Sequence, residues 1–205
     1  MQSTISKPVV QIPNFLSPEE RNLLVKTIYK HQNAFQYLGQ PATDGSGTLH
    51  LSLIEETQNS PDAQAILKAC KVVSNRILDL LPEIFAQLNV EPFPVSKVPL
   101  SIFNGLDEHK AYPHTDESDG RFKISLLYYF NETPKAFKGG ALELFESDEN
   151  LQNGYCKDSF AKIEHEDNLF IAFRSDTYHS VTPVELSSNQ FEKGRFVVVG
   201  FLGPT

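Results

Sequence analysis

The stretch AYPHTDESDGR, residues 111–121, places His114 and Asp116 one residue apart. On an extended strand, side chains at i and i+2 point to the same face, close enough to grip one ion. A third ligand must then come from another strand. His179 opens a later β-rich run, so a two-sheet fold could bring it alongside. Two imidazoles and one carboxylate leave three adjacent positions of an octahedron open, the arrangement by which non-haem Fe(II) is held for oxygen chemistry. A lone His-x-Asp discriminates loosely. The chain carries a second copy, His165-Glu166-Asp167, within the acidic run EHEDN, which reads as a solvated turn. His109 follows Asp107 in a polar loop and is expected to be exposed, while His31 lies at a helix end, where a cation suits the dipole.

Two further residues add chemistry to this pattern. Gly194-Arg195 begins the run RFVVVGFL, whose alternation puts Arg195, Val197, Val199 and Phe201 on one face. An arginine among large apolar side chains is costly to bury unless it meets an anion, and its planar fork fits a carboxylate. The other reading of Arg195 is a strand-end side chain reaching into water. In FKISLLYYF, residues 122–130, Phe122, Ile124, Leu126, Tyr128 and Phe130 form a wholly apolar and aromatic face, which reads as core. The opposite face, Lys123, Ser125, Leu127 and Tyr129, is mixed and suits a cavity wall or solvent. In a cavity, Tyr129 would offer a hydroxyl to orient a carboxylate.

The elements that must position these groups are legible in outline. VVQI (9–12) is a short apolar strand. Ser17-Pro18-Glu19-Glu20 combines a cap serine, proline at the first helical position and glutamate three after the cap. Leu23, Leu24, Ile28 and Tyr29 continue a helical stripe to about residue 33. Residues 40–48 read as a loop and LHLSLI (49–54) as a strand. Ser60-Pro61 opens a second helix with the stripe Ile66, Cys70, Val73, Ile77, Leu80, Ile84 and Leu88, closed by Pro92 and Pro94. Short β-rich runs then follow: 98–103, 112–115, 122–130, 141–145, 159–163, 169–173, 179–186 and 195–202. Many short strands at close spacing predict an antiparallel double-sheet jelly roll or a barrel, with the two helices covering one outer face. The expected architecture is α+β, mainly β, as one domain over 1–205. Residues 1–95 give strand and helix support, and 96–205 form the jelly-roll core.

Composition narrows the function classes. The chain of 205 residues carries a net charge of -8 and has no Lys/Arg cluster, which argues against a nucleic-acid partner. No apolar run approaches the roughly 20 residues of a membrane helix. The first fifteen residues lack the charged start and apolar stretch of a signal peptide. Two cysteines make neither a disulfide framework nor a zinc cluster, so a reducing cytoplasm is expected.

The ordered set His114-Thr115-Asp116, Asp119-Gly120-Arg121, Tyr128-Tyr129-Phe130-Asn131, Gly139-Gly140-Ala141-Leu142-Glu143-Leu144, Phe173-Arg174-Ser175-Asp176 before His179, Val181-Thr182-Pro183-Val184 and Gly194-Arg195 resembles the 2-oxoglutarate- and Fe(II)-dependent dioxygenases, in their prolyl-hydroxylase-like branch. The resemblance covers roughly residues 98–202. It implies a double-stranded β-helix in which His114, Asp116 and His179 hold Fe(II). Arg195 would pair with the distal carboxylate of 2-oxoglutarate, helped by Tyr129. It further implies hydroxylation of an unactivated C–H with dioxygen, most readily on a prolyl or other residue of a peptide, with ascorbate as a possible reductant. A free amino acid or small natural product is the alternative substrate, and a non-catalytic jelly-roll binding module the alternative class. Arg121 lies in a loop where this family often engages substrate. Phe103 stands where prolyl hydroxylases often place a tyrosine, and Tyr112 is a candidate to supply the missing hydroxyl. Arginine replaces the lysine of collagen-type enzymes. The longer gap before Arg195, residues 186–193, reads as a polar loop near the site.

Overall fold

The computed structural model describes residues 7–38, 48–53, 60–117, 120–188 and 190–204. Of the loop predicted at 40–48, residues 40–47 lie outside these residues, as do Ile54 of the 49–54 run and Asp119, whereas Thr48 begins a strand. Strand β1 (Val9–Pro13) leads into helix α1 (Pro18–Lys30). The Ser17 hydroxyl accepts the Glu20 N–H at 3.3 Å and the Glu20 carboxylate accepts the Ser17 N–H at 2.9 Å, a reciprocal cap. A 3-10 turn at Gln32–Ala34 and two short strands, β2 (Gln36–Leu38) and β3 (Thr48–Ser52), follow. Helix α2 (Pro61–Leu88) is capped by Ser60, whose hydroxyl accepts the Ala63 N–H at 3.0 Å. It stops at Asn89, which adopts the left-handed conformation (φ 51°), ahead of the prolines expected to end it. The remaining strands are β4 (Leu100–Gly105), β5 (Ala111–His114), β6 (Ile124–Phe130), β7 (Phe137–Gly139), β8 (Leu142–Ser147), β9 (Tyr155–Ile163), β10 (Leu169–Arg174), β11 (Tyr178–Val181), β12 (Val184–Leu186) and β13 (Arg195–Leu202).

The buried faces of the helices differ in detail from the predicted stripes. On α1 the buried side chains are Leu24, Val25 and Ile28, whereas Leu23 is 66% exposed, so the apolar face is rotated by one residue. On α2 the buried set is Ala63, Ile66, Cys70, Val73, Ile77, Leu81, Ile84, Phe85 and Leu88, with Leu81 in the place expected of Leu80. Each large apolar side chain among these contributes roughly 1.5–3 kcal/mol on full burial.

The strands form a jelly roll. A seven-stranded antiparallel sheet has the order β1-β10-β6-β13-β4-β3-β2, and a four-stranded sheet has the order β5-β11-β8-β9. Register sorts the large sheet into two faces. Val198 lies opposite Tyr128 and Ile102, and these residues pack with Leu126, Phe130, Phe170 and Val10 against the helices. Val197 lies opposite Tyr129 and Phe103, and this row meets Leu142 and Leu144 of the four-stranded sheet, together with Leu169, Ile171 and Phe173. The face predicted to be core is therefore the helix-facing one, and the mixed face lines the interior of the roll.

Two differences from the predicted elements have a physical reason. The run at 179–186 is split into β11 and β12, which belong to different sheets. Pro183 has no N–H to continue a ladder, and the chain crosses over at Thr182, whose hydroxyl accepts the Ala141 N–H at 2.9 Å. Strands β2 and β7 were not foreseen; each has only three residues, too few for alternation to register.

Candidate active site

The end of the interior that gathers the three candidate metal ligands is built on the facing strands β5 and β11. His114 and His179 are cross-strand partners, with ring centroids 4.3 Å apart. Asp116 follows β5 as the chain turns. The backbone N–H groups of Asp116 and Glu117 donate to the Ser175 carbonyl at 3.0 and 3.2 Å, which fixes that turn against the end of β10. Asp116 lies 3.8 Å from His114 Nε2 and 3.5 Å from His179 Nε2, and the three donor atoms lie within 4.8 Å of one another. Ligands at about 2.1 Å from a shared ion and at right angles would stand roughly 3 Å apart, so a small inward movement closes the set.

The hydrogen bonds around these groups set their protonation. His114 Nδ1 lies 2.6 Å from the Tyr112 carbonyl and His179 Nδ1 3.0 Å from the Thr177 carbonyl. A carbonyl only accepts, so each Nδ1 carries the hydrogen and each Nε2 presents its lone pair to the centre. Burial lowers the pKa of His179, opposed in part by the Asp116 carboxylate, and so favours the neutral, ligating form. Asp116 Oδ2 accepts the Ser125 hydroxyl at 2.6 Å, and Ser125 Oγ is 2.9 Å from Ser175 Oγ. Two imidazoles and an oriented carboxylate suit a divalent transition metal with open positions.

The other end is an anion pocket in form. Arg195 is 2% exposed. Its Nε–H donates to the Gly140 carbonyl at 2.7 Å, its Nη2 donates to the Tyr129 hydroxyl at 3.2 Å, and the guanidinium lies 5.0 Å from the Tyr129 ring centre. Among the described residues no carboxylate pairs with it. Gly140 has φ 69°, and a Cβ there would stand 2.6 Å from Arg195 Cδ, so glycine is needed both for the backbone and for the approach. Burial raises the Tyr129 pKa, with Arg195 opposing, so the phenol stays protonated.

Two histidines expected in solvent are buried beside this arginine. His165 is 1% exposed, stacks on the Tyr129 ring at 4.3 Å and meets Phe137 edge-on at 5.1 Å. Its burial, reinforced by Arg195, pushes its pKa well below the usual value. The signal was present in the sequence: Glu164 and Glu166 are exposed while His165 between them turns inward, a strand-like alternation hidden by the acidic composition. His109 is 8% exposed, and burial followed by Arg195 lowers its pKa to about 4. It sits against Gly105 and leaves no comparable trace in the sequence.

The remaining candidates lie apart from these two ends. Phe103 is on the interior face, between Val197 and His50 in register, and meets the His50 ring at a tilt with centroids 4.5 Å apart. Tyr112 is 50% exposed and adjoins Glu143, Phe145 and Tyr155, with the Lys110 ammonium 5.3 Å from its ring centre. Arg121 is exposed, just after Gly120. The insertion before Arg195 is anchored rather than a free polar loop: Phe191 is buried, 5.0 Å from Phe35 and 5.2 Å from Phe196.

A jelly roll with an inward His-x-Asp, a histidine on the neighbouring strand and a buried arginine across the interior has the form of a non-haem iron oxygenase. The sequence profile of the 2OG-Fe(II) oxygenase superfamily matches residues 101–203, and the chain belongs to that superfamily. Membership implies Fe(II) and 2-oxoglutarate. An uncharacterised PKHD-type hydroxylase of Synechocystis sp. is 30% identical over 196 residues, 94% of this chain and 62% of the relative, so the chain spans less than two thirds of that protein. Among solved structures, a Pseudomonas putida prolyl-4-hydroxylase superposes with a TM-score of 0.66 at 16% identity, covering 98% of this chain and 94% of the other. A Trichoplax adhaerens prolyl hydroxylase in complex with a hypoxia inducible factor peptide gives 0.63 at 16% identity, covering 97% and 84%. At these identities the two superpositions establish the fold.

Proposed function

We propose that the chain is a 2-oxoglutarate- and Fe(II)-dependent hydroxylase acting on a prolyl or other residue of a peptide. The observation that carries this reading is the interior itself: an open three-ligand metal set at one end and a buried arginine without a carboxylate partner at the other. His114, Asp116 and His179 would hold Fe(II). Ser125 orients Asp116, while the Tyr112 and Thr177 carbonyls orient the two imidazoles. Arg195 and the Tyr129 hydroxyl would bind the distal carboxylate, leaving the 2-oxo acid head at the metal. Bound Fe(II) would supply the oxidation, in which dioxygen and 2-oxoglutarate give succinate, CO2 and a hydroxylated C–H. The wall of Leu142, Leu144, Val197 and Ile171 excludes water from that chemistry. The preference for a peptide rests on the prolyl hydroxylases among the structural neighbours. A reducing compartment, with ascorbate as reductant, suits a ferrous site and the two free cysteines.

The test is succinate release with Fe(II), ascorbate and a panel of proline-containing peptides, alongside free amino acids. Turnover on peptides is expected for the wild-type chain and none for His179→Ala. Equal turnover by that variant would remove the triad, and turnover on amino acids alone would move the substrate to small molecules.

A further inference from the structure

We propose that His109 is a further cosubstrate-binding residue, donating its Nδ1–H to the distal carboxylate of 2-oxoglutarate beside Arg195. The inference rests on the reading of Arg195 as the dicarboxylate's partner and adds a group that the motif pattern does not contain.

The placement follows from a missing side chain. Gly105 of β4 is the cross-strand partner of Arg195. A Cβ built on Gly105 would stand 2.6 Å from His109 Nδ1 and 2.9 Å from its Cγ. The imidazole therefore occupies the position that a side chain at 105 would take, on the interior face and directly across from Arg195. Facing positions on neighbouring strands are separated by only about 4.5–5.5 Å at Cβ. The ring is held there by its backbone. His109 N–H donates to the Leu106 carbonyl at 3.0 Å, closing a turn, and the His109 carbonyl accepts the Val184 N–H at 2.9 Å.

His109 Nδ1 is buried and has no hydrogen-bond partner. Leaving such an atom unpaired is costly, and an acceptor that enters the pocket removes that cost. The neighbourhood states the chemistry of that group. Arg195 supplies one full positive charge, the Tyr129 hydroxyl is protonated, and His109 is neutral. One cation with neutral donors around it matches a single carboxylate, which needs up to four hydrogen bonds and one compensating charge. No carbonyl fixes the His109 tautomer through Nδ1, so the Nδ1–H form is available when an acceptor arrives.

The experiment uses the full chain loaded with Mn(II) and titrated calorimetrically at pH 7.5 with 2-oxoglutarate and, separately, with pyruvate. Pyruvate has the same 2-oxo acid head and no distal carboxylate. Wild-type protein is expected to prefer 2-oxoglutarate strongly. His109→Leu should weaken 2-oxoglutarate roughly ten- to a hundredfold and leave pyruvate unchanged. His109→Asn, whose amide nitrogen overlays Nδ1, should recover most of the loss. If the leucine variant does not fold, His109→Gln, whose amide overlays Nε2 instead, takes its place with the same expected loss. Unchanged 2-oxoglutarate affinity in the leucine variant would show that the site holds only a trapped water, and would overturn the proposal. Equal losses on both ligands, or an asparagine variant as weak as leucine, would overturn it as well. A wild-type chain that binds both ligands alike would refute the reading of Arg195, and the role of His109 with it.

Discussion

Arg195 is buried with no carboxylate among the described residues to pair with it. A guanidinium removed from water and given only a carbonyl and a phenol keeps much of its desolvation cost. Burial accordingly pulls its pKa down, against the Tyr129 hydroxyl that supports the charge. On the proposed reading a dicarboxylate would supply the missing countercharge, which would link ligand binding to folding stability. In Mn(II)-loaded protein, 2-oxoglutarate at a hundredfold excess over its Kd should add about 2.7 kcal/mol, a rise in Tm of about 5–10 °C for a chain of this size. Arg195→Met should show no such rise in a thermal melt, and a full shift in that variant would remove Arg195 from the pocket. Ser125 makes a second residue-scale claim. Its hydroxyl fixes one oxygen of Asp116 at 2.6 Å, and groups that orient metal ligands in this way typically carry a 10–100-fold effect on affinity. Ser125→Ala should retain its melting profile without metal while losing Fe(II) affinity by about that factor in a competition titration. At this scale the sequence pattern was informative where a residue's neighbours in the chain share its surroundings. The alternation of RFVVVGFL placed Arg195 correctly on the interior face. His109 and His165 misled because their polar neighbours point outward while the imidazoles turn in.

At the scale of the element, legibility followed length and local chemistry. Both helices announced themselves through cap residues and a long apolar period, and the cap of α1 is formed as its sequence suggests. Its strength can be measured. Ser17→Ala removes the acceptor for the Glu20 N–H and should destabilise the chain by about 1 kcal/mol in urea melts, with an unchanged m-value. A loss below a few tenths would mean that solvent replaces the cap at no cost. Long alternating runs such as β6 and β13 were legible, and so were the shorter runs of β1, β3 and β5. The short β2 and β7 were not, because three residues carry too little pattern to register. The break between β11 and β12 was legible in principle from Pro183. The apolar residues on either side masked it, since they satisfy two different sheets with one continuous-looking run. That break matters for function: it ends the strand bearing His179 and sends the chain to the ribbon whose Val184 holds the His109 backbone.

At the scale of the whole molecule, composition and periodicity gave a mainly β roll with helical support, and could not give strand order. The pairing of β13 with both β4 and β6, which sets Arg195 across from Gly105 and next to the Tyr129 row, joins segments far apart in sequence. Such contacts are decided by how whole faces bury one another rather than by any local signal. The same burial gives the molecule a pH dependence. His109 and His165 are neutral in the fold, with pKa values below the usual 6.5, whereas in the unfolded chain they take up protons near 6.5. Between these limits the unfolded state binds more protons, so stability rises with pH. The contribution is complete above about pH 6.5 and is lost as pH falls toward the folded values. For His109, a fall from 6.5 to about 4 corresponds to on the order of 3 kcal/mol. The lowered carboxyls of Glu20 and Asp176 act in the same direction but further down, below their ordinary values of 4.5 and 3.8, so the window from pH 6.5 to 4.5 isolates the histidines. His50 and His179, whose pKa values burial also lowers, add to the slope in that window. Urea melts of the metal-free chain across this range should therefore lose stability steadily, and His109→Asn should flatten the loss because asparagine does not titrate. If the wild-type and His109→Asn slopes coincide, then the imidazole already reaches water in the fold, and the dry pocket beside Arg195 does not exist as drawn.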